Sequence, residues 1–126
     1  MPLRRRNGGA RVREQGEDRR LDPPGSRLVA ADLGAELGAR ATLVQFSSAF
    51  CAPCRATRRI LGEVAGMVPG VAHVEIDAEA RLELVRALDV PSTPTVLVLD
   101  AGGRVVRRAV GQPRKADVIA ALGEAV

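Results

Sequence analysis

Two stretches of this chain, ATLVQFS at 41–47 and TVLVL at 95–99, are apolar with almost no interruption. A strand with one wet face alternates apolar and polar residues, whereas a continuous run belongs to a strand covered on both faces. Such strands oblige the chain to supply helices for each side of a sheet. The spacing of the remaining apolar residues meets that demand. Leu33 and Leu37 are four apart, and Asp32 is positioned to cap a short helix reaching about Gly38. Ile60, Leu61, Val64, Ala65 and Val68 recur at helical spacing and predict a helix from about Cys51 to Gly66. Leu84, Val85 and Leu88 predict another over Ala80–Leu88, and Val118, Ile119 and Leu122 a last one that Pro113 would start.

Between these helices VAHVEID, 71–77, alternates as a strand, with His73, Glu75 and Asp77 on one face. Asp100-Ala101-Gly102-Gly103 reads as a turn that brings Arg104–Ala109 back as a hairpin strand. Leu28-Val29-Ala30 is a candidate edge strand. The expected order is (β)αβαβαββα, an α/β domain over residues 28–126. Its central mixed sheet of four to five strands is flanked by helices, the first strands parallel and the last pair antiparallel.

Charge divides the chain in two. Residues 1–27 hold eight arginines against four acids, which accounts for the whole net charge of +4. The remaining eleven basic and eleven acidic residues cancel. The high pI therefore belongs to a segment without hydrophobic periodicity, read as a disordered Arg-rich tail or linker ending at Pro23-Pro24-Gly25. The folded part has no basic excess to suggest specific nucleic-acid binding. Lys115 is the only lysine beside eighteen arginines, so arginine identity by itself is discounted as a functional sign. No apolar stretch follows the arginines, so the start does not read as a signal peptide.

Both cysteines, Cys51 and Cys54, fall where the first buried strand gives way to a helix. Residues three apart on a helix lie about 5–6 Å from each other, within the range a disulfide spans. The unpaired N–H groups and dipole of a helix start favour negative charge, and thiolate is the attacking form of cysteine. The arrangement suits Cys51 as nucleophile and Cys54, one turn in, as resolving thiol. Pro53 is tolerated in the first turn, where its missing N–H costs nothing. Two alternatives stand beside this one. A zinc site needs four ligands, and the chain offers two thiolates, the single histidine His73 and carboxylates. Two incidental buried cysteines are the other.

Several spaced segments then resemble the thioredoxin family. Phe50-Cys51-Ala52-Pro53-Cys54-Arg55 is similar to its Trp-Cys-Gly-Pro-Cys-Lys, and Val74-Glu75-Ile76-Asp77 to its middle strand. Val90-Pro91-Ser92-Thr93-Pro94-Thr95 is similar to its loop before the fourth strand. Gly102-Gly103 fits its hairpin, and Val110-Gly111 the glycine before its last helix. The resemblance covers roughly residues 28–126 and implies a thioredoxin fold. It also implies a protein-disulfide oxidoreductase, in which Cys51 attacks a substrate disulfide and Cys54 releases the product. Phe50, Ala52, Pro53, Thr93 and Pro94 would form the substrate-binding loops, with a cis bond at Thr93-Pro94 exposing the Thr93 backbone to an extended peptide. An ordinary trans-proline opening a strand is the alternative there.

The implied protein needs no cofactor beyond the redox-active Cys51–Cys54 disulfide. Its implied partners are disulfide-bearing substrate proteins and an upstream reductase or small thiol. It is expected to be a monomer and cytoplasmic, touching a membrane only through the basic tail, or tethered there if the true N-terminus extends upstream. Ala52-Pro53 resembles the reducing members of the family.

The departures are specific. The family's buried aspartate, six residues before the first cysteine, is Gln45, which hydrogen-bonds but does not titrate. Its tryptophans are Ser47 and Phe50, and its lysine beside the acid is His73. Two roles stand open for His73: relay of the proton that Gln45 cannot carry, or satisfaction of a half-buried hydrogen bond. The missing acid also raises the alternative of a redox sensor or interaction module with little turnover.

Overall fold

The structure is a computed structural model and describes residues 26–126. The tail expected over 1–27 thus lies outside the described residues except for its last two. Helix α1 (Ala30–Leu33) is followed by strand β1 (Ala41–Ser47), helix α2 (Ala52–Met67) and strand β2 (Val71–Asp77). A 3-10 turn (Ala78–Ala80) leads to helix α3 (Leu82–Ala87). Strands β3 (Thr95–Asp100) and β4 (Val105–Val110) and helix α4 (Lys115–Ala125) complete the chain.

The four strands form one sheet in the order β2-β1-β3-β4. β1 and β2 run parallel, with Gln45 opposite Glu75 and Ser47 opposite Asp77. β3 runs antiparallel to β1, and β4 antiparallel to β3. The expectation that all helix-connected strands run parallel holds for β1 and β2 and fails for β3. The connector explains this. A seven-residue strand is about 23 Å long, while six-residue α3 advances only about 9 Å. The segment from Ala78 to Pro94 therefore never carries the chain back along β2. It stays at the carboxyl end of β1 and β2, where α2 also begins.

Every side chain of β1 is buried, as the unbroken apolar run requires. One face meets Leu28, Leu33, Val44, Phe46, Ile76, Leu84, Leu97 and Leu99. The other carries Leu43, Leu61, Val64, Val96, Val98, Val118 and Leu122, brought there by α2 and α4. With two aromatics in the whole chain, this core is aliphatic, and of the two only Phe46 is inside.

Four boundaries differ from the sequence expectation. The edge strand at Leu28–Ala30 is replaced by a single antiparallel bridge between Arg27 and Arg104. Ser26 and Leu28 continue this pairing, to Val105 N–H (3.2 Å) and from Leu28 N–H to Gly103 O (2.8 Å). Gly103 permits the approach: its φ is +85°, and a Cβ there would run into the Leu28 carbonyl. Asp32 caps α1 from within the helix rather than from the N-cap position. It is the third residue after the cap Val29, and its carboxylate accepts from Val29 N–H at 2.8 Å. That short helix ends at Gly34, φ +72°, instead of reaching Gly38. Pro113 precedes the cap Arg114 of α4 rather than opening the helix.

Candidate active site

The sheet delivers three segments to one end: the exit of β1, the start of α2 and the entry to β3. Cys51 is the N-cap of α2, one position before the helix where the spacing had placed it in the first turn. Pro53 falls in the first turn, and Cys54 N–H donates to Cys51 O at 3.1 Å. The two cysteines are joined as a disulfide with Cα atoms 5.2 Å apart. Their burial is unequal: Cys54 is 1% exposed, while Cys51 is partly open and Ala52 and Pro53 are exposed. Cys51 is thus partly open to a partner, while Cys54 is backed by protein.

Phe50 stands immediately before. Its φ is 62°, a left-handed backbone that costs a non-glycine residue on the order of 1 kcal/mol, and its ring is fully exposed. The Thr93–Pro94 bond is cis. Pro94 is buried, and its carbonyl accepts from Gly111 N–H at 2.8 Å. Ser48 Oγ and Thr93 Oγ1 are 2.8 Å apart and tie this loop to the cysteine loop. Ser48 escaped the sequence reading. A hydroxyl just past a strand end carries no signal until its partner, 45 residues later, is known.

Behind Cys54 lies a polar cluster centred on Gln45. The Gln45 side chain is fully buried. Its Nε2 donates to Cys54 O at 2.8 Å and to Ser47 Oγ at 2.9 Å, and its Oε1 lies 3.2 Å from His73 Nε2. These contacts fix every role. A backbone carbonyl only accepts, so the amide nitrogen must face Cys54 and the amide oxygen must face His73. That oxygen in turn requires His73 Nε2 to be the donor, leaving Nδ1 as the site that gains or loses the proton.

Nearby, the Glu75 carboxylate takes Arg58 Nε and Nη2 at 2.7 Å each. The electrostatics follow. Arg58 above all holds the Glu75 carboxyl below its ordinary range, against the opposing effect of partial burial. Burial lowers the His73 pKa, with Glu75 pulling it up and Arg58 pushing it down. Glu75 and Arg58 joined the site only through the structure. The strand reading did place Glu75 on the face of His73, which was the available signal.

Among the described residues no three of His, Cys, Asp or Glu gather as a metal site. The structure brings Phe50, Cys51, Ala52, Pro53, Cys54, Thr93 and Pro94 to the carboxyl end of β1, while Gln45 and His73 lie within β1 and β2, opposite Glu75 and Leu43, and join the site through the Gln45–Cys54 contact. Gln45 meets Cys54 at its backbone, not its sulfur.

A mixed sheet whose parallel pair ends in a Cys-x-x-Cys disulfide at a helix start, beside a cis-proline loop, defines an α/β redox-disulfide domain. The protein-family model described as Thioredoxin matches residues 30–124. The chain belongs to the thioredoxin family.

It is 33% identical over 87 residues to a thioredoxin of Mycolicibacterium smegmatis, covering 67% of this chain and 77% of that one. It is 35% identical over 69 residues to thioredoxin H2-1 of Oryza sativa subsp. japonica, covering 55% of this chain. There it spans only 49% of the relative's length. Among solved structures, a mutant thioredoxin of Halobacterium salinarum NRC-1 superposes with a TM-score of 0.63 at 21% identity, over 68% of this chain and 74% of that one. That likeness is one of fold.

Proposed function

We propose that this chain is a protein-disulfide reductase. The observation that carries the reading is the Cys51–Cys54 disulfide at a helix start, with Cys51 partly open and Cys54 buried. In the reduced protein the Cys51 thiolate attacks a substrate disulfide. One substrate sulfur leaves as thiolate and takes a proton, and a mixed disulfide joins Cys51 to the other. Cys54 Sγ, deprotonated, then attacks Cys51 Sγ. The Cys51–Cys54 bond re-forms, the second substrate thiol departs, and two electrons have passed to the substrate. An upstream reductase or a small thiol returns the site to the dithiol. Phe50, Ala52, Pro53 and Thr93 form the docking rim beside the buried Pro94, and the Thr93 backbone takes an extended substrate segment by strand addition.

A second reading has one specific observation in its favour. Both Gln45 amide hydrogens are committed and the amide does not titrate, so among the described residues no buried acid stands ready to take the Cys54 proton. On that reading the cysteines serve a redox sensor or partner clamp. Insulin reduction driven by dithiothreitol separates the two. Multiple turnovers that vanish in Cys51→Ser support the reductase. Stable mixed disulfides on Cys51 without turnover overturn it in favour of the clamp. No helix among the described residues is long and apolar enough to cross a membrane. A cytoplasmic setting suits a pair that must be re-reduced after each cycle.

A further inference from the structure

Helix α2 starts at the disulfide, and its outer face is cationic. At about 100° per residue, Cys51, Arg55, Arg58 and Arg59 share roughly 100° of arc. Helical side chains lean toward the N-terminus, which is the end of α2 where Cys51 lies. Arg58 is neutralised by Glu75, which grips it with both oxygens. Arg55 and Arg59 are exposed and take part in none of the ion pairs among the described residues. The next acid along the helix, Glu63, lies 3.4 Å from Lys115 instead.

Nothing in the fold rewards this placement. The first turn of α2 holds no acidic residue, its N-terminal end is the positive end of the dipole, and like charges four apart repel. Residues 28–126 have no net charge, so the two free guanidiniums are a local feature beside the nucleophile rather than part of a general basic field. This turns on charge, so the chain's preference for arginine over lysine does not bear on it.

We propose that this face selects substrates by charge. Disulfides flanked by acidic groups are drawn to Cys51, and those flanked by basic groups are held off. The inference rests on the reductase reading and names its substrate class. The force acts on encounter: complementary charge raises association rates and fades as salt screens it.

The test uses the full-length reduced protein and three small disulfides: oxidised glutathione (anionic), bis(2-hydroxyethyl) disulfide (neutral) and cystamine (cationic). The rate constant of thiol oxidation is followed for each at about 20 mM and about 500 mM salt, where the screening length falls from tens of ångströms to a few. The neutral disulfide reports any change in thiolate reactivity, because such a change alters all three rates alike.

The anionic-to-cationic rate ratio is expected to be about tenfold or more at low salt and to shrink at high salt. It should fall at least about threefold in the double variant Arg55→Gln, Arg59→Gln, with the neutral rate nearly unchanged. A ratio that the double variant or salt leaves unaltered overturns the inference while the reductase reading stands. Failure to react with all three disulfides refutes the reductase reading and this inference with it.

Discussion

Replacing Gln45 with glutamate tests the polar cluster at its centre. The side chains have nearly the same shape, so the substitution changes proton count more than packing. Gln45 donates two hydrogen bonds, to Cys54 O and Ser47 Oγ. A carboxylate donates none. Ionised, it would set a negative oxygen against the Cys54 carbonyl in a fully buried site. Protonated, it keeps one donor for that carbonyl. Its folded-state pKa must therefore rise.

Full burial alone can raise a carboxyl by 3–5 units. His73, 3.2 Å from the amide oxygen, would offset part of this once protonated. A net rise of roughly two units is a fair figure, worth about 2.7 kcal/mol. The sign is fixed. Above the unfolded-state value, near 4.5, the folded protein holds a proton that the unfolded chain has lost. Stability therefore falls with rising pH until the folded-state pKa is passed.

Urea unfolding of the oxidised protein at pH 5 and pH 8 measures it. Gln45→Glu is expected to lie near the parent at pH 5 and about 2–3 kcal/mol below it at pH 8. A difference from the parent that is the same at both pH values, within about 0.5 kcal/mol, would show that the amide donors are not what the site requires. The same variant supplies a titrating group behind Cys54, so its turnover of insulin should acquire a pH dependence that Gln45 does not give.

His73→Gln keeps a donor for the Gln45 oxygen and removes titration. Burial depresses the His73 pKa, so the parent's stability is full above about 6.5 and declines as pH falls below it. The variant is expected to lose that decline in urea unfolding, and reductase rate against pH should lose its inflection if His73 relays protons. An identical rate profile sinks the relay. Gly103→Ala and Gly111→Ala share a strained left-handed backbone, φ +85° and +89°, but only the first drives a Cβ into a backbone carbonyl. Thermal unfolding should show Gly111→Ala costing about 1–2 kcal/mol and Gly103→Ala clearly more; equal losses would refute the steric argument. Leu61→Ala empties a fully buried position between α2 and the sheet and should cost about 2–5 kcal/mol, read as a lower urea midpoint with unchanged slope.

The sequence displayed the parts of this molecule whose cause is local. ATLVQFS and TVLVL are buried because they are apolar throughout, and Cys51 lies at a helix start because the helical spacing begins just after it. What was illegible depends on distance. The antiparallel course of β3 follows from how far α3 advances, and the pattern Leu84, Val85, Leu88 gives a face but not a length sufficient to cross the sheet. Ser48 meets Thr93 only because the exit of β1 and the segment before β3 come together, and Arg58 meets Glu75 only because α2 packs beside β2. Neither pair has a local signature.

Gln45 shows where the two kinds of information join. Read in sequence, it was a loss: an amide where an acid would carry a proton. In the fold that amide does work an ionised carboxylate could not do. It donates to the Cys54 carbonyl and to Ser47 while accepting from His73, so the buried backbone of Cys54 is held by a group whose charge never changes. The titrating groups have been displaced outward along the same cluster, to His73 and to the Glu75–Arg58 pair. A site built this way keeps its geometry across the pH range in which an acid at position 45 would switch state. On the proposed reductase reading, protons for Cys54 then come from His73 or from solvent. The pH–rate profile of His73→Gln, set beside that of Gln45→Glu, decides which, because the first removes a titrating group and the second adds one at the centre of the same cluster.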